Sequence, residues 1–395
     1  MGTMTGSGVS TAKAADRAVN EAMRAALGTL GGRKPSYGLL FSSPRHDLAN
    51  VLKLASKAAP GAEIIGCTTA GEITELGLVH DGLAVFLVSS DVSVGKMAFA
   101  RGLKTDSRLA GEALSRGIND LRKSAAQHEQ RHFTTVLLTD GLSGAGERLV
   151  NDLFDRAQGG AQIVGGAAGD EGKFEMTHVG AGEQAGSEAA AVLNVFSTAP
   201  WGVGVNHGLR PTTKQMRVTK AAGNVVHELD GEPAFAAYKR HSAERGIELS
   251  AERASPYLVA NELGIHFFDK ISRARAPLSV GADGSLICAA EIPKGSMVSI
   301  LDGDPDSMVE AAKSAAEEAK EHLAGEEAAG VLLFDCVCRG MILKDEFRRE
   351  VDAVRSVFPN VPIAGFLTYG EIARYRGKFD GWHNATAVVA AIPRS

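Results

Sequence analysis

The hydrophobic and polar positions of this chain alternate between short, continuous apolar runs and longer amphipathic segments. The continuous runs are typical of strands that are covered on both faces. The amphipathic segments have helical spacing: Phe347, Val351, Val354 and Phe358 fall on one face, and Pro359 ends the pattern. Strands that alternate with helices in this way predict β-α-β units.

The same order of elements occurs three times. Residues 38–73, 136–171 and 331–372 each contain an apolar strand, a helical stretch, a second strand, a glycine and an acidic turn. Another apolar run follows each copy. We therefore predict an α/β fold of internally duplicated β-α-β units, with mixed sheets covered by helices, in a body that could be αββα-like.

The stretch 211–303 breaks this rhythm with strand-like runs such as QMRVT and MVSIL. We take the change of pattern as a domain boundary. The prediction is a flexible tail over residues 1–12, a first α/β domain over 13–210 and a second over 211–395.

Glycine makes up 46 of 395 residues, about 12 %, against a typical value of about 7 %. We attribute the excess to tight corners in the repeats. The net charge of −5 argues against a nucleic-acid partner or a polybasic membrane contact. With neither an apolar run of about 18 residues nor a signal-peptide pattern, we expect a cytoplasmic protein.

The acidic turns are the first candidate site, because the corners of such repeats can converge on a shared pocket. The simpler interpretation is that each glutamate accepts hydrogen bonds from its own turn. A phosphate loop is excluded, since Glu72 and Glu371 stand where that loop needs lysine. The predicted ligand-pocket residues are Gly66, Cys67, Gly71, Glu72, Asp335, Arg339, Tyr369, Gly370 and Glu371.

Within that set, Arg339 follows a strand end and suits the carboxylate of a ligand, although an ion pair with a neighbouring acid is an equal alternative. Four cysteines are too few for a disulfide framework, and we expect reduced thiols. Cys336 and Cys338 form a C-x-C pair that could ligate a metal, but no second pair exists. Cys67 is either a buried thiol or a nucleophile.

Several segments resemble the FIST family, a two-part sensory module of bacterial signalling proteins that also occurs in some F-box proteins. The resemblance implies a small-ligand sensor and no catalysis, with ligands such as amino acids. One branch of the family is a haem-containing sensor of nitric oxide that regulates histidine kinases or cyclic-di-GMP enzymes, so we expect a separate signalling partner of that kind. The matching segments are IIGCTTAGEI (64–73), WGVGVNHGLRPT (201–212), NVVHELDGEPAFAAY (224–238), FDCVCR (334–339), PIAGFLTYGEI (362–372) and HNATAV (383–388).

The haem version needs an axial ligand, most often histidine. His207 is the first candidate for the iron ligand of haem b, since glycines around it would let a flat ring approach the backbone. Trp201 is close in sequence, Arg210 could pair with a propionate, and His383 is the second choice. The alternative is that His207 is a hydrogen-bonded structural histidine.

Two further classes of function stay open at the level of sequence. An enzyme could use Cys67 or the Glu72 and Glu371 carboxylates, and Gly141–Ala145 is close to a nucleophile elbow but lacks an evident acid and histidine. A module that binds only protein is the other, and an oligomer is compatible with either. We predict a non-enzymatic ligand sensor, with haem-based nitric oxide sensing as its first version and an amino-acid-type ligand as its second.

Overall fold

The computed structural model describes residues 2–267, 270–375 and 381–395. Within these ranges, no helix is both long enough and apolar enough to cross a membrane. The α-helices are α1 (Ala15–Thr29), α2 (Leu48–Ala58), α3 (Ser107–Leu114), α4 (Ile118–Ala126), α5 (Gly146–Arg156), α6 (Ala234–Ala243), α7 (Ser255–Ala260), α8 (Pro305–His322), α9 (Val337–Leu343) and α10 (Arg348–Val357).

The strands of the described ranges form four sheets, of which three belong to the repeats and one lies between β13 and α8. The repeat strands are β1 (Met4–Ser10), β2 (Tyr37–Ser42), β3 (Glu63–Thr68), β4 (Glu72–Thr74), β5 (Gly77–Val79), β6 (Leu83–Ser89), β7 (Ser93–Arg101), β8 (His132–Thr139), β9 (Ala161–Ala167), β10 (Val179–Ala181), β11 (Gln184–Gly186), β12 (Ala189–Ser197), β13 (Gly202–Asn206), β23 (Ala328–Cys336), β24 (Ile363–Thr368), β25 (Glu371–Arg374), β26 (Trp382–His383) and β27 (Ala387–Pro393). The fourth sheet contains β14 (Arg210–Pro211), β15 (Met216–Ala222), β16 (Val225–Leu229), β17 (Glu232–Pro233), β18 (Leu263–Phe267), β19 (Lys270–Arg275), β20 (Pro277–Val280), β21 (Leu286–Cys288) and β22 (Met297–Asp302).

Each sequence repeat forms a sheet with the same pairing. In the first unit, β2 pairs in parallel with β3 and antiparallel with β6, and β1 adds to β6. In the second, β8 pairs with β9 and β12, and β7 adds to β12. In the third, β23 pairs with β24 and β27, and β13 adds to β27. The predicted duplication of β-α-β units is confirmed. Each structural repeat also contains one more strand than the sequence pattern shows, namely β1, β7 or β13.

The three sheets exchange hairpins in a closed cycle. The hairpin β4–β5 follows β3 but pairs with β24 of the third unit. In the same way, β25–β26 follows β24 but pairs with β9, and β10–β11 follows β9 but pairs with β3. Each acidic corner is therefore the point at which the chain leaves its own sheet and enters a neighbouring one.

The predicted flexible tail over residues 1–12 is wrong, because Met4–Ser10 is a strand of the first sheet and pairs with Leu83–Ser89 along its whole length. Helix α1 lies directly on this strand. A Cβ atom at Gly6 would be 2.1 Å from the carbonyl oxygen of Ala26, so glycine permits the close contact. This strand consists mostly of small residues and lacks the run of large apolar side chains that predicts a strand. The prediction of a flexible tail failed for that reason.

The fourth sheet accounts for the break in the repeat pattern. Its strands span Arg210 to Asp302 and interrupt the third unit between β13 and α8. Helix α8 then begins: the Asp304 carboxylate accepts a hydrogen bond from the Ser307 amide at 2.7 Å, and Pro305 stands in the first turn. Helices α3 and α4 are separated at Gly117, which has a φ of +77°.

The inner faces of the three repeat sheets pack together into one shared core. Phe41 of the first sheet lies 4.9 Å from Phe366 and 6.4 Å from Phe334 of the third, measured between ring centroids. Helices cover the outer faces, as α1 and α2 do over the first sheet. The predicted α/β class with helix-covered mixed sheets is confirmed, with three sheets around the core where an αββα body would have two.

Three of the glycines have a specific role in the second strand of each unit. Gly66, Gly165 and Gly365 occupy the same register, opposite Leu40, Leu137 and Leu333 of the first strand. A Cβ atom at Gly365 would lie 1.7 Å from the Leu333 carbonyl oxygen, and the corresponding distance at Gly165 is 1.9 Å. Glycine is required there because the backbones approach too closely for any side chain.

Candidate functional site

The three corners meet and hydrogen-bond to one another. The amide of Ala70 in the first corner donates to the carbonyl of Leu367 in the third at 3.1 Å. The second corner joins both, since the amide of Gly169 donates to Thr68 at 2.9 Å and the amide of Tyr369 donates to Ala167 at 3.1 Å. The junction of the repeats is thus a closed network of backbone hydrogen bonds.

Glu72 is fully buried in this junction and braces its own turn. Its carboxylate accepts hydrogen bonds from the Thr69 hydroxyl at 2.5 Å and from the Gly82 amide at 2.9 Å. Burial raises the pKa of Glu72 to about 7. The contacts are those of the simpler interpretation, in which the glutamate satisfies the backbone of its corner.

Glu371 repeats this arrangement in the third unit. Its carboxylate accepts hydrogen bonds from the Thr368 hydroxyl at 2.5 Å and from the Thr386 amide at 3.0 Å. Burial raises its pKa to about 7 as well. The sequence T-x-G-E therefore encodes a turn in which threonine, three residues before the glutamate, donates to it.

Arg339 is fully buried and makes the ion pair that was the alternative to ligand binding. Its guanidinium pairs with Glu350, and its Nε atom lies 3.0 Å from the Asp335 carboxylate. It also donates to the backbone carbonyls of His207 at 3.0 Å and Met308 at 2.8 Å. Since Nε, Nη1 and Nη2 all bind protein atoms, Arg339 holds the fold together and does not present a free donor to a ligand. Asp335 lies beside it, but neither of its oxygens makes a hydrogen bond within the described ranges, and burial together with Glu350 raises its pKa well above the usual value.

Tyr369 fixes the loop that follows the second corner. Its hydroxyl donates to the Asp170 carboxylate and accepts from the Gly172 amide at 2.9 Å, and its ring stacks on Phe174 with 4.3 Å between centroids. The Asp170 carboxylate also accepts from the Met176 amide at 2.9 Å. These hydrogen bonds lower the pKa of Asp170 against the opposing effect of burial, which is the largest single influence.

The remaining predicted pocket residues face protein atoms. Cys67 lies in the shared core, where burial raises the pKa of its thiol well above the usual value, contrary to what a nucleophile needs. A Cβ atom at Gly71 would lie 2.9 Å from Leu78, and one at Gly370 would lie 2.3 Å from the Trp382 ring. Gly66 is the close-approach position described above.

A cleft of about 600 Å³ opens beside the junction, within the size range of small-molecule sites. Its walls are the three corners, the β4–β5 hairpin and the segment from α9 to the start of α10. Sequence reasoning missed these residues because they flank the repeated motifs and carry no repeated pattern. The lining residues are Ala70, Leu76, Gly77, Leu78, His80, Glu171, Gly172, Val337, Gly340, Met341, Lys344, Asp345, Phe347, Arg348 and Leu367.

The cleft contains charges of both signs. Glu171 is half-buried and accepts a hydrogen bond from the Ser43 hydroxyl at 2.5 Å. Opposite charges come from Lys344 and from Arg348. The Nη1 atom of Arg348 donates to the Leu76 carbonyl at 3.3 Å, and its Nε atom lies 3.5 Å from the Asp352 carboxylate. In the described part of the chain, Lys344 has no ion pair. The cleft therefore offers an acid and a base to one small molecule.

Two of these charged residues have a left-handed backbone. Lys344 has φ +47° and ψ −124°, and Glu171 has φ +59°. Side chains with a Cβ atom rarely adopt such angles, and each instance costs of the order of 1–3 kcal/mol. Asp81, Glu129, Glu188 and Asp230 also have positive φ and do not line the cleft, so the strained backbone by itself does not distinguish the cleft residues.

The residues proposed for haem do not fit a haem pocket. The Nδ1 atom of His207 accepts a hydrogen bond from the Leu209 amide at 2.9 Å, which places the proton on Nε2, the atom that would have to bind iron. Burial, together with Arg339, lowers the pKa of His207 to about 4. The glycines beside it lie under α8, since a Cβ atom at Gly204 would be 2.0 Å from the carbonyl oxygen of Ala315.

The other haem candidates do not line the cleft beside the junction. Trp201 is fully buried in the shared core, and Arg210 is an exposed residue whose backbone pairs with Asp302 in the fourth sheet. His383 is buried, with Nε2 at 3.1 Å from the Ala373 carbonyl oxygen. The structure supports the alternative interpretation of His207 as a hydrogen-bonded structural residue.

Comparison with known proteins gives relatives along the whole chain. An uncharacterized protein of Mycobacterium tuberculosis is 24 % identical over 409 residues, which cover 98 % of each chain. An uncharacterized protein of Methanocaldococcus jannaschii is 27 % identical over 262 residues, 59 % of this chain and 49 % of that protein, so the match spans about half of that relative.

A solved structure, the cyanuric acid hydrolase from A. caulinodans, aligns with 50 % of this chain and 71 % of its own at 8 % identity. Its TM-score of 0.27 is too low to say anything about fold or activity. The profile of the FIST N domain, in contrast, matches residues 36–232, and the profile of the FIST C domain matches residues 234–374. These two matches cover most of the chain, which belongs to the FIST family.

Proposed function

We propose that this protein is a sensor that binds a small zwitterionic ligand of the amino-acid type in the cleft beside the repeat junction. FIST domains act generally in signal transduction and bind small ligands. The proposal adds the place and the chemistry of the ligand to that general role.

The observation that carries the proposal is the pairing of size and charge in the cleft. A volume of about 600 Å³ suits a small metabolite. Glu171 and Asp345 suit an ammonium group, and Lys344 and Arg348 suit a carboxylate. The apolar side chains of Leu78 and Phe347, which also line the cleft, suit an aliphatic or aromatic side chain.

The proposed signalling depends on the fact that different repeat units form the walls of the cleft. The ligand would contact the β4–β5 hairpin of the first unit, the second corner, and α9 of the third unit at once. Binding would therefore favour one arrangement of the three units over others. The change in arrangement would alter the exposed faces of α9 and of the β4–β5 hairpin, where a partner protein could bind. The partner we propose is a histidine kinase or a cyclic-di-GMP enzyme, in line with the family resemblance.

The experiment is a thermal-shift screen of the full chain against free amino acids and related zwitterions. We expect at least one of them to raise the melting temperature in proportion to its concentration. Lys344→Met should abolish the shift, whereas Lys123→Met, which removes an exposed lysine on α4, should leave it unchanged. A shift that is the same in Lys344→Met would place the ligand elsewhere.

The haem version of the sensor and the enzymatic alternative have their own tests. A visible spectrum of protein from haem-supplemented cells should show no Soret band, given the contacts of His207. A Soret band that disappears in His207→Ala would overturn that expectation.

For catalysis, a cysteine-directed probe should leave Cys67 unlabelled in the native protein, because its side chain has no exposure.

A further inference from the structure

Two cysteines and one glutamate meet at a buried point between the fourth sheet and the third unit. Cys336 ends β23, Cys338 lies in the first turn of α9, and Glu262 immediately precedes β18. One ligand atom from each, the two sulfurs and a carboxylate oxygen, all lie within 4.8 Å of one another. The three residues are buried, with 4 %, 2 % and 1 % of their surface exposed.

The Glu262 carboxyl group is buried and weakly hydrogen-bonded. In the described ranges of the chain, neither of its oxygens has a nitrogen or oxygen donor, and the Cys338 thiol acts on it as a weak sulfur donor. A buried carboxylate without a strong partner costs free energy. Because this carboxylate shares its site with two sulfurs, the geometry points to a cation as a further partner.

We propose that Cys336, Cys338 and Glu262 bind a divalent cation with an affinity for thiolates, Zn²⁺ in the first place. Two thiolates favour zinc over magnesium or calcium, which prefer oxygen ligands. Tetrahedral zinc with bonds of about 2.0–2.3 Å would draw the three atoms to about 3.7 Å from one another. The fourth position would be filled by a water.

The surrounding charges suit such an ion. Two thiolates and one carboxylate around a divalent cation leave one negative charge. The nearby carboxylate of Glu371 adds a negative charge that favours a cation, and the fully buried guanidinium of Arg275 partly offsets the negative charge of the site. A buried charge that is paired in this way avoids the penalty of isolation.

The ion would join two parts of the chain. Glu262 directly precedes β18 of the fourth sheet, whereas Cys338 lies on α9, the helix whose residues Val337, Gly340 and Met341 line the cleft. Metal binding would therefore hold one wall of the cleft against the fourth sheet. The site is structural in this sense and does not depend on the ligand proposed above.

The test uses the untagged full chain, refolded with Co²⁺ as a spectroscopic substitute for zinc because the site is closed in the folded state. We expect about one equivalent of Co²⁺, with a thiolate-to-metal charge-transfer band that excess Zn²⁺ removes. Protein purified from zinc-supplemented cells should contain about one zinc per chain by elemental analysis. Wild-type protein that takes up no stoichiometric metal by either route would overturn the proposal.

Variants then assign the ligands. Cys338→Ser and Glu262→Gln should each weaken metal binding at least tenfold. Cys67→Ser removes an equally buried thiol from the shared core and should keep full metal content. Circular dichroism controls for folding, and metal retained in both folded ligand variants would contradict the site.

Discussion

Arg339 and Glu350 form an ion pair in which neither side chain has any exposure to solvent. The pair joins the first turn of α9 to α10, and the arginine extends it to Asp335 and to two backbone carbonyls. A group this deeply buried is stable only while its charges are compensated. The stability of the third unit should therefore depend on it.

We expect Arg339→Met to lower the free energy of unfolding by about 3–5 kcal/mol, since it leaves two buried acids without a cation. Urea denaturation monitored by circular dichroism measures the change. Arg349→Met is the matched control: Arg349 also contacts two acids, Glu346 and Asp306, but at the surface, so its loss should cost no more than about 1 kcal/mol. Equal effects of the two substitutions would contradict the role given to Arg339.

Glu72 should give the protein a pH-dependent stability. Its pKa is about 7 in the folded state, above the usual 4.5, so the folded state holds the proton more tightly than the unfolded state does. The free energy of unfolding should therefore fall as pH rises from about 4.5 to about 7 and then level off.

Glu72→Gln should remove this part of the fall, because the amide can accept from Gly82 and donate to Thr69 without ionising. Relative to wild type, the variant should gain about 2–3 kcal/mol between pH 5 and pH 8. Chemical denaturation at both pH values measures the difference. If the stability of the variant changes with pH in the same way as that of wild type, Glu72 is ionised in the folded state at little cost in free energy.

A glycine substitution at Lys344 should change the stability of the protein and its ligand affinity in opposite directions. Its left-handed backbone favours glycine, so Lys344→Gly should raise the free energy of unfolding by about 1 kcal/mol while it removes the cation from the cleft. The melting temperature should rise and ligand binding should fall. Glu129→Gly, at a left-handed residue outside the lining of the cleft, should give the stability gain alone.

The repeated glycines allow a direct steric test. Gly365→Ala would place a Cβ atom 1.7 Å from the Leu333 carbonyl oxygen and should destabilise the protein by several kcal/mol, about 3 or more. Gly28→Ala is the opposite case, since a Cβ atom there has nothing within 4 Å and alanine favours the helix. It should stabilise by about 0.5–1 kcal/mol. Thermal denaturation of both variants shows whether the repeated glycines are needed for close packing of the backbone or only for its flexibility.

The repeat was visible in the sequence because its core strands and glycine corners carry strong local signals. The strand at Met4–Ser10 was not, because its glycines serve a helix that packs on it and leave little apolar pattern. Its equivalence to β7 and β13 appears only from the pairing with the last strand of each unit.

The candidate sites were harder to predict than the fold. The acidic corners attracted attention because they repeat, yet Glu72 and Glu371 brace turns, and the cleft is lined by their unrepeated neighbours. Glu262 could not be linked to Cys336 and Cys338 from sequence, since it directly precedes a strand of a different sheet and only the fold brings it to them. Long-range contacts of this kind have no local pattern.

The central claim is that the cleft binds a small zwitterion, and isothermal titration calorimetry tests it most directly. The titrant is the amino acid that gives the largest thermal shift, added to wild type, Lys344→Met and Lys123→Met. We predict one site per chain, binding at least tenfold weaker in Lys344→Met, and unchanged binding in Lys123→Met. Saturable binding that is equal in all three proteins, or no binding of any zwitterion to wild type, would contradict the account.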